Sequence, residues 1–160
     1  VVKLGWFEST VQGDLRITLV PSQHWAMRSP LDKNTRLWGG FIYESTEGVA
    51  YHAGDTAWNE LTFQTIRELA PRIDWAMLPI GAYEPQWFMQ AQHMGPEEAV
   101  RVLDTLGASN LLAMHWGTFK LTDEHCSEPP ERLRAAWREQ SRDPARLWIL
   151  DVGETRTLSR

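Results

Sequence analysis

An α/β layered fold is what the 160-residue sequence predicts. Two observations predict it. Apolar runs of strand length, some alternating with polar residues and some continuous, recur between segments whose apolar residues repeat at helical spacing. Pro and Gly stand where those helical segments would start or stop, so strands and helices mix along the chain instead of segregating. The length and the 42% hydrophobic content suit one globular unit with its own core and are too small for two full domains.

The elements follow in order. Val1 to Thr10 is a short strand candidate, and Gly13-Asp14 marks a turn into Leu15 to Val20, which alternates like a half-buried strand. Pro21 to Arg36 has no period and reads as a long loop, a feature that compact domains often reserve for function. Leu37 to Glu44 and Val49 to Ala53 form a hairpin around Glu47-Gly48. Gly54-Asp55-Thr56 breaks the second strand, and a helix follows from roughly Asn59 to Leu69, with Leu61, Ile66 and Leu69 along one side, stopped by Pro71. Trp75 to Ile80 is a continuous apolar run, as a buried strand requires.

Gly81 to Gly95 is a loop rich in aromatics. Pro96-Glu97-Glu98 opens a helix, with Pro in the first turn and acids near the positive end of its dipole; it runs to Leu106 and is capped by Gly107. Asn110 to Met114 is a strand ending at His115. Pro129-Pro130-Glu131 starts a last helix to about Gln140, which buries Leu133, Ala136 and Trp137. Arg146 to Val152 and Thr155 to Leu158 read as closing strands around Gly153. There is no internal repeat, low-complexity tract or linker.

Composition narrows the function classes. Net charge is −5 and no basic run stands out, so nucleic acid is not an expected partner and charge does not favour an anionic membrane. Cys126 is the only cysteine, which excludes a disulfide framework and a Cys-rich zinc site. No apolar run approaches the ~20 residues of a spanning helix, and no signal-peptide pattern is present. The expectation is a cytoplasmic protein with at most peripheral membrane contact. Val1-Val2-Lys3-Leu4 reads as the inside of a strand with no initiator Met, so the chain is expected to begin inside a longer protein.

Three polar residues sit at the same kind of place. His24 follows the strand Leu15–Val20, Asp55 follows Val49–Ala53, and His115 ends Asn110–Met114. In α/β sheets ligands collect at strand ends, where loops converge on one cleft. Imidazole and carboxylate suit zinc, iron or manganese, and a carboxylate can bridge two metals about 3.5–4 Å apart. No local metal motif such as His-Glu-x-x-His accompanies them. Spacing by itself therefore leaves a plainer reading open, with His24 stacked on Trp25, Asp55 in an ordinary Gly-Asp-Thr turn and His115 satisfied by a neighbour.

Six ordered segments carry a resemblance: Pro-Ser-Gln-His-Trp-Ala-Met-Arg (21–28), Leu-Trp-Gly-Gly-Phe (37–41), Ala-Gly-Asp-Thr-Ala (53–57), Leu-Pro-Ile-Gly-Ala-Tyr-Glu-Pro (78–85), His-Met-Gly-Pro-Glu-Glu-Ala-Val (93–100) and His-Trp-Gly-Thr-Phe (115–119). Together they resemble the N-acyl-phosphatidylethanolamine phospholipase D branch of the metallo-β-lactamase superfamily. The resemblance implies the second half of an αββα sandwich, a mixed sheet with helices on its outer face, occupying residues 1–160 as the C-terminal half of a single domain. It implies that His24 joins two upstream histidines on a first metal, that Asp55 bridges two metals, and that His115 joins an upstream Asp and His on the second. Those upstream residues belong to a His-x-His-x-Asp-His motif that this sequence lacks. Two zinc ions are the expected cofactors, with iron or manganese as alternatives.

Several further positions have two readings. His93 matches a family histidine and would bind substrate phosphate or move a proton; otherwise it bonds backbone at a helix entry. Tyr83, Glu84 and Phe88 are candidates for the substrate cleft, while Trp87 is expected to pack on the core. Arg28 would clamp a phosphate, or pair with Asp32. Glu124 would support a metal ligand, with solvated loop charge as the plainer reading. His52 is expected to be structural, and Cys126 a buried apolar side chain. The function expected from the resemblance is hydrolysis of a lipid or small-molecule phosphodiester by a hydroxide shared between metals. The rival readings are a lactonase or other ester hydrolase on the same fold, and a half-domain that lacks activity without the missing N-terminal half.

Overall fold

A computed structural model describes residues 1–157. Seven strands form one mixed sheet in sequence order: β1 (Ser9–Gln12), β2 (Leu15–Val20), β3 (Gly40–Ser45), β4 (Gly48–His52), β5 (Trp75–Pro79), β6 (Asn110–Met114) and β7 (Leu147–Trp148). The first three pairings are antiparallel and the last three parallel. Each parallel crossover contains a long helix: α1 (Glu60–Leu69) between β4 and β5, α3 (Pro96–Leu106) between β5 and β6, and α4 (Glu128–Glu139) between β6 and β7. A one-turn helix, α2 (Gln86–Met89), precedes α3. Because the sheet order never reverses, crossovers of one hand put all three long helices on one face. There α3 packs against both α1 and α4.

The pleat sorts the sheet residues. Ile42, Tyr51, Ala76, Leu78 and Leu111 face the helices and are fully buried, joined by Phe63, Ile66, Leu103, Leu106 and Trp137. Burying each of these large side chains contributes roughly 1.5–3 kcal/mol. Phe41, Tyr43, Trp75, Met77, Leu112 and Trp148 alternate onto the opposite face, where they are only half-buried. Tyr51 carries a flaw: its hydroxyl is fully buried with no hydrogen-bond partner. Tyr51→Phe is therefore expected to raise stability by about 1 kcal/mol, read from the urea midpoint at unchanged m-value.

Most elements lie where the sequence puts them, including the Gly107 cap in the left-handed region and the buried Leu133, Ala136 and Trp137. Asn59 caps α1, its side chain accepting the Thr62 N–H. Four expectations need correction. The first strand spans Ser9–Gln12 and not Val1–Thr10, because Phe7 at φ 68 turns the chain before it. The third begins at Gly40 and not Leu37, since the Trp38 carbonyl accepts the Trp6 indole N–H instead of a ladder bond. On α1 the buried side is Phe63 and Ile66; Leu61 is 74% exposed and Leu69 also faces outward. The Arg146–Val152 strand shrinks to Leu147–Trp148, and residues 155–157 are not in a strand. The rest of that closing-strand expectation, Leu158, lies outside the described residues.

Candidate metal and substrate site

The sheet topology decides which loops meet. β2 and β4 both run antiparallel to β3 and so parallel to each other, and β4, β5 and β6 are parallel. The C-terminal ends of β2, β4, β5 and β6 therefore share one edge. His24 lies in the loop after β2, Asp55 after β4, His93 in the loop after β5, and His115 directly after β6. Thr56, fully buried, ties the first two loops together: its hydroxyl accepts the Gln23 N–H at 2.9 Å, while the Ala57 N–H donates to the Gln23 carbonyl at 3.0 Å.

The four side chains follow one another in a row of pairwise contacts. His24 Nε2 is 3.4 Å from His93 Nε2, the His93 and His115 ring centres are 5.5 Å apart, and His115 Nε2 is 3.4 Å from Asp55 Oδ1. His24 also stacks on Trp25 at 5.5 Å, so the plain packing reading and the cluster reading hold together. His24 Nδ1 lies 2.9 Å from the Trp25 carbonyl. A carbonyl only accepts, so Nδ1 carries a proton, and in the neutral ring it is the Nε2 lone pair that faces the cluster. A backbone carbonyl orienting a ring in this way is the usual support of a metal-binding histidine. Then His93 Nε2 must be the donor, and His93 Nδ1 is left as a buried acceptor without a partner.

Burial first, then the His24 and His115 imidazoles, push His93 down to about 4, so it is neutral at ordinary pH. His115 adopts φ 60, a left-handed conformation costly for a side chain of its size and characteristic of functional positions. The two imidazoles of His24 and His115 and the Asp55 carboxylate, gathered on one sheet edge, are donor types that suit a metal. Among the described residues they meet as pairs, and no group of three or more His, Cys, Asp or Glu side chains is drawn together so as to hold an ion.

The remaining candidates divide. Arg28 lines a cleft of about 370 Å³ together with His24, Trp25 and Met27. Its expected partner Asp32 is taken by the Arg36 guanidinium and by the N–H groups of Arg28 and Ser29, at 2.8 and 2.7 Å. Among the described residues the Arg28 guanidinium makes no hydrogen bond or ion pair. Tyr83 and Glu84 border a cavity of about 140 Å³ that also includes His93. Tyr83 is itself buried, its hydroxyl donating to Glu128 at 2.8 Å with the Arg132 guanidinium over its ring. Phe88 stands apart on the exposed turn α2, against Trp87. The packing expected of Trp87 is not found: it is 77% exposed, because α2 is a single turn that buries no residue. Cys126 is half-buried rather than buried, since it lies in the loop before α4. His52 is structural, its Nδ1 accepting the Gly54 N–H.

Glu124 corrects the solvated-charge reading. Its carboxylate is buried and accepts the N–H groups of Ala82, Tyr83 and Glu84 at 2.7, 3.3 and 3.1 Å, fixing the loop that leads to His93. No local sequence signal announces this, because the partners lie about forty residues upstream. Burial opposes its ionisation, but hydrogen bonds from Thr122 and the backbone outweigh it and hold it below its ordinary value. A carboxyl depressed in the folded state adds stability that is complete above the unfolded value and fades as pH falls through the folded one. Glu124→Gln is expected to cost about 1–3 kcal/mol at neutral pH and to flatten the acid limb of the stability profile, measured by urea unfolding across pH.

Comparison with known proteins completes the description. The β-lactamase superfamily domain model matches residues 1–116. The chain is 37% identical over 161 aligned residues to N-acyl-phosphatidylethanolamine-hydrolyzing phospholipase D 1 of Caenorhabditis elegans, covering 96% of this chain and 45% of that protein. It is 36% identical to the mitochondrial N-acyl-phosphatidylethanolamine-hydrolyzing phospholipase D of Saccharomyces cerevisiae, covering 86% of this chain and 31% of that one. It thus spans less than half the length of these relatives. Among solved structures, the metallo hydrolase Igni18 of Ignicoccus hospitalis superposes with a TM-score of 0.69 at 24% identity, covering 99% of this chain and 61% of that one, and shares the fold. Family match, sequence identity and topology agree, and the chain belongs to the β-lactamase superfamily domain family.

Proposed function

We propose that this chain supplies the second half of a two-metal hydrolase acting on a phosphodiester of the N-acylphosphatidylethanolamine type. The observation that carries the reading is the meeting of His24, Asp55, His93 and His115 at one sheet edge, with the His24 Nε2 lone pair and the Asp55 carboxylate turned into it. The names of the two relatives above supply the substrate class. His24 and His115 would each hold one metal and Asp55 would join both, with zinc as the first choice and iron or manganese as substitutes. Bound there, the metals would supply Lewis acidity at the phosphoryl oxygens and acidify a bound water.

The protein's own groups do the rest. Arg28, free of partners beside His24, pairs with phosphate oxygens. His93 stands within hydrogen-bond reach of the cluster and positions or relays a proton. Glu124 holds residues 82–84 so that Tyr83 and Glu84 border the same space. The half-buried apolar sheet face of Phe41, Trp75, Met77, Leu112 and Trp148 supports a further layer packing there, as another half of the same domain would. The substrate implies peripheral contact with a membrane; among the described residues no helix is long and apolar enough to cross one.

Turnover of a panel of phosphodiesters and lactones by the full-length protein tests the proposal. Release of N-acylethanolamine and phosphatidic acid from N-acylphosphatidylethanolamine is the expected result. Turnover of lactones alone would reject it in favour of an ester hydrolase.

A further inference from the structure

The segment after β6 opens a cleft of about 260 Å³ whose wall includes His115 itself. Trp116, Phe119 and Leu121 line it, together with Ala82 and Cys126. Trp116 packs against the core, but Phe119 and Leu121 are 74% and 70% exposed and stand outside the core cluster. Large apolar side chains held in water around a concavity serve a ligand better than they serve packing. The one acid in the lining, Glu124, is already engaged by the N–H groups of residues 82–84. Lys120, also in the lining, makes no hydrogen bond or ion pair among the described residues. The cleft therefore presents apolar walls and an unpaired cation, and no unpaired negative charge.

Resting on the phosphodiesterase reading above, we propose that this cleft is the subsite for the N-acyl arm of the substrate, with Phe119 and Leu121 setting chain preference. The size favours a single chain over a diacyl group. Sites that enclose a whole drug-sized ligand measure roughly 300–1,000 Å³. At about 260 Å³ the cleft falls below that range and offers room for part of a single acyl chain. Its continuity with His115 places the polar end of that chain at the cluster where the phosphodiester would be cut.

Cys126 provides a readout independent of turnover, since it is the only thiol in the chain and borders the cleft. In the full-length protein, with any other cysteine replaced, maleimide labelling of Cys126 is measured with N-oleoylethanolamine, phosphatidic acid or ethanolamine present below micellar concentration. N-oleoylethanolamine at about ten times its dissociation constant is expected to slow labelling about tenfold, by simple mass action, while ethanolamine leaves it unchanged. Phe119→Ser with Leu121→Ser is expected to abolish the protection and to narrow the difference in KM between long and short N-acyl substrates. Phe119→Leu, which keeps an apolar wall, retains both effects. An unchanged thermal melt shows that the serine variant is folded. Undiminished labelling at saturating N-oleoylethanolamine overturns the proposal, as does protection by phosphatidic acid alone. Protection by N-oleoylethanolamine without phosphodiester turnover supports this subsite and rejects the phosphodiesterase reading.

Discussion

Asp55→Asn in the full-length protein is expected to lower turnover by at least about a hundredfold and to strip bound metal, since loss of even an outer-shell partner typically costs 10–100-fold. The amide keeps the size and most of the hydrogen-bonding shape of the carboxylate. The residue is exposed at a loop start and caps no helix, so the fold has little reason to change. What disappears is the negative charge facing His115 Nε2 at 3.4 Å, the property that lets one side chain serve two cations. His24→Ala removes an Nε2 lone pair already oriented by the Trp25 carbonyl and is expected to lower metal content likewise. Metal per chain by elemental analysis, beside a thermal melt, checks both variants. Normal metal content in both would reject the ligand assignment.

Gly81→Ala is expected to destabilise by about 3 kcal/mol and to impair the site at the same time. A Cβ at Gly81 would lie 2.3 Å from the His115 carbonyl oxygen. Neither backbone can yield easily: β5 and β6 are paired up to Pro79 and Met114, and the Ile80 N–H donates to the Met114 carbonyl at 3.0 Å. Relief would have to push His115 away from Asp55. Gly117→Ala is the control, because Gly117 has φ 78 and open space around its Cβ position. It is expected to cost only about 1 kcal/mol, the penalty of a left-handed backbone, with metal content retained. Urea unfolding and metal analysis on both variants separate close backbone contact from conformational preference.

The two expectations mark how much of this protein is legible in its residues. The strands β2, β5 and β6 and the helix α3 are written locally, through alternation, continuous apolar runs and cap residues, each an interaction of a few neighbours. Boundaries failed where a distant partner intervened: the Trp6 indole takes the Trp38 carbonyl, and α1 chooses Phe63 over Leu61 because α3 lies on that side. Placing His24, Asp55 and His115 at strand ends was within reach of the sequence, because strand ends are local features. The roles of Thr56 and Glu124 were not, because the groups they bind are dozens of residues away.

By itself the sequence determined the α/β class, the order of elements, the family resemblance and the identity of the chemically capable side chains, all of which depend on residue type and short-range spacing. Only the tertiary structure decided that β2, β4, β5 and β6 end on one edge, that Asp32 leaves Arg28 free, and that Glu124 is spent on backbone amides. Those outcomes depend on strand direction and on competition between partners brought together by the chain's return, and neither quantity is encoded at any single position.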